Sequence, residues 1–240
     1  MFLLLPTTVI MAVYIAAAVL PAAFLLKKIY NLDTVEKEPK ELLISLLIGG
    51  VLAALASIVL ETIGQILLGI SKLDSSSAAY ILILAFLVVA AVEEGTKFFF
   101  LYRRSWNHPS FDYRFDGIVY SAFVSLGFAA FENIKYVFHY GLTVAFPRAF
   151  LSIPGHLGFA IVFGYFYGRA KLSEKRGDKE NAKMNLITGY LIAVALHGFY
   201  DACAMMQTAF ASLLFIIFVI VMYIRIIRLV KREAWTDEEL

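Results

Sequence analysis

The chain has 240 residues, 61% of them hydrophobic and 17% charged, with a mean hydropathy of +0.78 and a formal net charge of +2. These values exclude an ordinary soluble domain, offer no basic surplus for nucleic acid, and describe a polytopic membrane protein in a lipid bilayer. The single cysteine, Cys203, excludes an internal disulfide and a cysteine-based metal site.

Apolar runs predict seven membrane helices, at about 3–26, 42–70, 78–101, 117–139, 146–169, 184–207 and 210–230. Each is long enough to cross a hydrocarbon core of roughly 30 Å. The first lacks the basic start of a secretory signal and reads as a retained transmembrane helix. The second contains Gly49-Gly50, which predicts a tilt, a kink or an extension beyond the membrane. No loop exceeds about 15 residues, so residues 1–240 form one integral membrane domain whose function lies within the bilayer. The acidic stretch Asp237-Glu238-Glu239 reads as a frayed tail.

Basic residues collect in alternate connections. Lys27, Lys28, Lys37 and Lys40 follow the first span, Arg103, Arg104 and Arg114 the third, Arg169 to Lys183 the fifth, and Arg225 to Arg232 end the seventh. The intervening loops carry little more than Lys72 and Arg148. The positive-inside rule then predicts an outside N-terminus and a cytoplasmic C-terminus.

Four polar clusters interrupt the apolar runs: Glu93, Glu94 and Lys97 on the third span, Glu132 and Asn133 on the fourth, His156 on the fifth, and His197 with Asp201 on the sixth. A charge near the bilayer centre is penalised by roughly 2.5 to 3.5 kcal/mol, so three within two helical turns need partners or a use. Counted from the cytoplasmic ends at ~1.5 Å per residue, the clusters lie at overlapping depths of roughly 14 to 27 Å. They predict one polar pocket facing the bundle interior. Glu93 and Lys97 are i and i+4, as are His197 and Asp201, so each pair shares a helix face. A carboxylate held in this way is a candidate general base for water. Glu61 and Gln65 have the same spacing and either line the same pocket or, the favoured reading, form a satisfied polar pair near the outer interface; Arg148 reads as an interfacial anchor or a contact for substrate.

In their order these residues resemble the PrsW-type glutamic intramembrane proteases, within the superfamily of CAAX-processing and bacteriocin-processing membrane proteases. The matching elements are Glu-Glu-x-x-Lys at Glu93, Glu94 and Lys97; Phe-x-x-x-Glu-Asn at Phe128, Glu132 and Asn133; the intramembrane His156; and His-x-x-x-Asp at His197 and Asp201. The segments Asp33 to Pro39 and Asp116 to Tyr120 also look like the family. The resemblance implies a helix bundle around a water-filled cavity and cleavage of a membrane-anchored protein, such as a single-span anti-sigma factor cut on its outward side. It makes Glu93 or Glu94 the general base, with His197 and Asp201 holding the developing negative charge. Where CAAX-processing relatives carry a second-motif histidine this chain has Glu132, so the group orienting the water is Glu132, His156 or both.

That reading needs no metal. The alternatives are a metalloprotease in which the two histidines and the carboxylates bind Zn²⁺, and a proton-coupled transporter using the same groups. Gly95, Gly127 and Gly198, beside the polar residues, are read as room for close approach of substrate.

Overall fold

The computed structural model describes residues 6–240, so the predicted first-span residues 3–5 lie outside the described residues. Seven membrane-length helical segments follow one another with short connections. Helix α1 spans Thr7–Leu32 and α2 spans Lys40–Ile70. The third segment has three parts: α3 (Ala78–Ile83), a π-helical stretch (Leu84–Ala90) and α4 (Ala91–Ser105). Then come α5 (Asp116–Tyr140), the short α6 (Ala145–Phe150), α7 (Ser152–Lys175), α8 (Lys179–Met205) and α9 (Ala209–Trp235). Ser77, Asp178 and Thr208 cap α3, α8 and α9 by accepting backbone N–H groups at the first free turn.

Helix α5 is the centre of the bundle. Inside the protein lies 78% of its apolar window, against 11% for α1 and 22% for α9, which are peripheral. Its close neighbours are set by glycine, because in lipid, helices associate through van der Waals contact and small residues let backbones meet. A Cβ on Gly50 would stand 2.0 Å from the Val124 carbonyl oxygen, and one on Gly127 would stand 2.5 Å from that of Leu47. Gly50 therefore serves the α2–α5 contact, Gly49 faces Arg104 and Phe100 of α4, and α2 is one continuous helix of 31 residues.

Two predicted spans are less regular than their hydropathy. The fifth is divided at Leu151, so Arg148 rides on α6 while His156 rides on α7. Pro154 falls in the first turn of α7, where a missing N–H costs nothing. The third carries the π-helical stretch immediately before Glu93 and Glu94.

At the face bearing the basic connections, the stretch expected to fray is docked. Phe115 N–H donates to Asp237 Oδ1 at 2.8 Å, Arg114 N–H to the Glu238 carbonyl at 2.9 Å, and Leu240 N–H to the Asp112 carbonyl at 2.7 Å. Glu238 also pairs with Arg114 at 3.3 Å and Arg176 at 2.7 Å. An acidic stretch looks frayed in sequence, but here its partners come from distant turns.

The same face buries Asp33 and Glu38 between α1 and α2, with Tyr120 Oη 2.7 Å from Glu38 Oε2. Burial pushes the Glu38 carboxyl from its ordinary 4.5 up to about 7, against the hydrogen bonds of Tyr120 and Asp116, and pushes Asp33 up to about 6 against Lys37. The folded protein thus holds these protons more tightly than the unfolded chain does. The associated stability is complete below the unfolded values and is lost as pH rises through 6 and 7. The melting midpoint in detergent should fall between about pH 5 and pH 8, and Glu38→Gln should flatten that slope; an unchanged slope in the variant would assign it elsewhere.

Candidate active site

Glu93 and Glu94 lie in the first turn of α4, directly after the π-helical stretch, whose wider turn rotates α4 relative to α3. Both are buried, and Lys97, one turn on, answers them: its Nζ donates to Glu94 Oε1 at 2.9 Å and to Glu93 Oε2 at 3.2 Å. The ammonium also lies 3.2 Å from His156 Nδ1 and 4.0 Å above the Phe128 ring. An ammonium only donates, so His156 Nδ1 accepts and its Nε2 carries the proton, facing Glu132 Oε2 at 3.2 Å.

Glu132 is in turn gripped by Arg148, whose Nη2 donates to Oε2 at 2.6 Å while its Nε donates to Asn133 Oδ1 at 2.8 Å. Asn133 passes the chain on to the Ala18 carbonyl of α1 at 2.9 Å. The guanidinium expected as an anchor or substrate contact gives two of its five N–H donors to Glu132 and Asn133, stacks 3.8 Å from the Tyr136 ring centroid and lines the cavity. On the other side, His197 Nδ1 is 2.8 Å from Glu94 Oε1, and its Nε2 is 3.4 Å from Asp201 Oδ2 and 3.9 Å from Glu93 Oε2. Phe159 stacks on the imidazole at 4.8 Å and 19°. All the polar residues singled out in the four clusters therefore join one continuous network, from Asp201 through Lys97 to Asn133.

The network opens on a cavity of about 730 Å³. Its wall includes Glu93, Glu132, His156, His197 and Asp201, but Glu94 and Lys97 lie behind it, against a recess of about 10 Å³ shared with Ser121 and Ser125. The cavity is lined by the later halves of α2, α5 and α8, the π-helical stretch, Arg148 of α6 and the starts of α7 and α9, toward the face opposite the basic connections. The two carboxylates are thus inequivalent: Glu93 meets the cavity, and Glu94 is held between Lys97 and His197.

Two expectations change. Glu61 and Gln65 make no hydrogen bond to each other among the described residues; both line the cavity. Gly127 and Gly198 are filled by the protein itself, against Leu47 and against Phe86 of the π-helical stretch, where an added Cβ would stand 2.5 and 2.4 Å away. Gly95 faces Tyr190. Tyr200 on the cavity wall carried no signal beyond its i+3 spacing from His197, and Cys203, expected off that face, lines the wall as well.

The site also has a donor set for a metal. Glu93, Glu94, His156 and His197 turn ligand atoms into a space where all lie within 4.8 Å of one another. Two imidazoles and two carboxylates suit Zn²⁺. Lys97 already engages three of these four residues.

The profile of a known family, described as "PrsW family intramembrane metalloprotease", matches residues 38–227, a range containing every residue of the network from Glu93 to Asp201. The chain belongs to the PrsW family. Relatives named Protease PrsW include that of Geobacillus kaustophilus, 36% identical over 187 residues that cover 78% of this chain and 77% of the relative. That of Clostridioides difficile is 32% identical over 77% of each chain, and that of Bacillus subtilis 31% identical over 78% of this chain and 80% of its own. No solved structure matches. PrsW membership and the seven apolar helices make this a multi-pass membrane protein and an intramembrane protease.

Proposed function

We propose that this PrsW-family protease hydrolyses a peptide bond in a single-span, membrane-anchored protein, of the anti-sigma-factor kind, by a glutamate-activated water. The observation that carries this is the placement of Glu93 on the cavity wall with Lys97 and Glu94 fixed behind it. By the positive-inside rule the basic connections are cytoplasmic, so the cavity opens outward and the bond is cut on the outer side.

In this mechanism Glu93 takes a proton from water as the oxygen attacks the scissile carbonyl carbon, and returns it to the amine as the C–N bond breaks. His197 donates to the developing oxyanion. Asp201, 3.4 Å from its Nε2, and Glu94, at Nδ1, orient the ring and compensate its charge. Glu132, held through Oε2 by Arg148 and His156, orients the water from the opposite wall with its other carboxylate oxygen. Lys97 balances the carboxylates through the cycle, and its occupation of three of the four metal donors supports chemistry that needs no metal.

The second reading is favoured by the same donor cluster. Glu93, Glu94, His156 and His197 would hold Zn²⁺, which when bound acidifies water and polarises a carbonyl as a Lewis acid. Purified protein stripped with EDTA is expected to keep cleaving its substrate and to hold less than one equivalent of zinc. Loss of cleavage on stripping, restored by Zn²⁺, would replace the metal-free reading.

A further inference from the structure

One acid on the cavity wall has no part in the network. Glu93 pairs with Lys97, Glu132 with Arg148 and His156, and Asp201 with His197. Glu61 makes neither a hydrogen bond nor an ion pair among the described residues. The nearest base on that wall, Lys135, is exposed, with its Nζ 5.4 Å from the Tyr136 ring centroid. Glu61 also borders a recess of about 10 Å³, between α2 and α5, whose walls include Glu93, Glu132 and Lys135. Three acids therefore surround this corner. The two strong bases nearest the network, Lys97 and Arg148, are already committed to Glu93, Glu94 and Glu132.

A carboxylate at membrane depth without a partner is costly, and such groups mark sites where a partner comes and goes. Gln65, one turn further along the same face of α2, adds an amide that can donate and accept. We propose that Glu61, with Gln65, forms a specificity subsite for a lysine or arginine side chain of the substrate, next to the scissile bond. The subsite rests on the proposed hydrolysis at Glu93. A cationic side chain complements this corner: it is drawn by three acids, and Glu61 is the one among them with no hydrogen bond or ion pair among the described residues, Lys135 standing beyond ion-pair distance. Because the subsite adjoins Glu93, seating that side chain also sets the register of the peptide against the base.

The test is a panel of single-span reporters that differ only by lysine, alanine or glutamate placed in turn along the outward juxtamembrane segment. Each is co-expressed with the native chain, Glu61→Gln, Glu61→Lys or Glu93→Gln. With the native chain, lysine at one position is expected to raise cleavage on the order of tenfold over alanine. Glu61→Gln should flatten the difference, and Glu61→Lys should move the preference to glutamate at the same position, an inversion that misfolding cannot produce. Glu93-dependent cleavage that ignores charge, or a lysine preference unaltered by both Glu61 variants, overturns the subsite alone. Absence of any Glu93-dependent cleavage overturns the hydrolysis reading and the subsite with it.

Discussion

Glu93→Gln is expected to lower the rate of substrate cleavage by about 10²- to 10⁴-fold, the usual contribution of a positioned general base, with little change in folding. Glutamine keeps the shape and one oxygen for Lys97 but cannot take a proton. Lys97 retains Glu94 at 2.9 Å, so the ammonium is not left without a counter-charge. Glu94→Gln should also reduce cleavage but by a different route. It weakens the hold on both Lys97 and His197 in a buried setting, where breaking an ion pair typically costs about 3–5 kcal/mol. The two variants therefore separate on a second measurement: the melting midpoint in detergent should stay near native for Glu93→Gln and drop for Glu94→Gln. Native-rate cleavage by Glu93→Gln would remove it from the role of base.

Gly164→Leu is expected to prevent accumulation of folded protein. A Cβ at Gly164 would stand 2.5 Å from the Gly117 carbonyl oxygen, and one at Gly117 would stand 2.5 Å from the Gly168 amide nitrogen. These neighbours are backbone, so α5 and α7 must separate to admit any side chain, at a cost of about 3 kcal/mol or more. That separation also displaces His156 from Glu132, because the two stand on these same helices. Gly95→Ala is the internal comparison: its Cβ would lie 3.5 Å from Tyr190 Oη, an ordinary contact, and yield and melting should match the native protein. Equal yields of Gly164→Leu and Gly95→Ala would show that the α5–α7 interface is looser than its geometry.

The parts of this protein that sequence makes plain are those the bilayer penalises. Each span declares itself because backbone groups must be satisfied internally and side chains must be apolar for some twenty residues. Glu93, Lys97, Glu132 and His197 stand out for the same reason. The irregularities have no such signal. Residues 84–90 are as apolar as a regular helix, so their π-helical winding is invisible to hydropathy. The break at Leu151 lies in a run that is apolar on both sides. The roles of Gly50, Gly127 and Gly198 depend on what stands opposite, which spacing along one helix does not encode. For Glu61 and Gln65 the i+4 spacing fits a mutual pair and a common wall equally, and only the packed bundle places both on the cavity. The difference between Glu93 and Glu94 likewise emerges only once Lys97 and His197 are in place.

The docking of residues 237–240 has a mechanical result. At the basic face the turn before α5 is laced to the segment after α9, and Arg176 of the α7–α8 connection is tied to Glu238. At the other face the ties are side chains: Arg148 of α6 holds Glu132 and Asn133 of α5, Asn133 reaches the Ala18 carbonyl of α1, and Tyr223 of α9 donates to the Phe150 carbonyl. One end of the bundle is thus laced largely through backbone, and the other, where the cavity lies, through side chains alone.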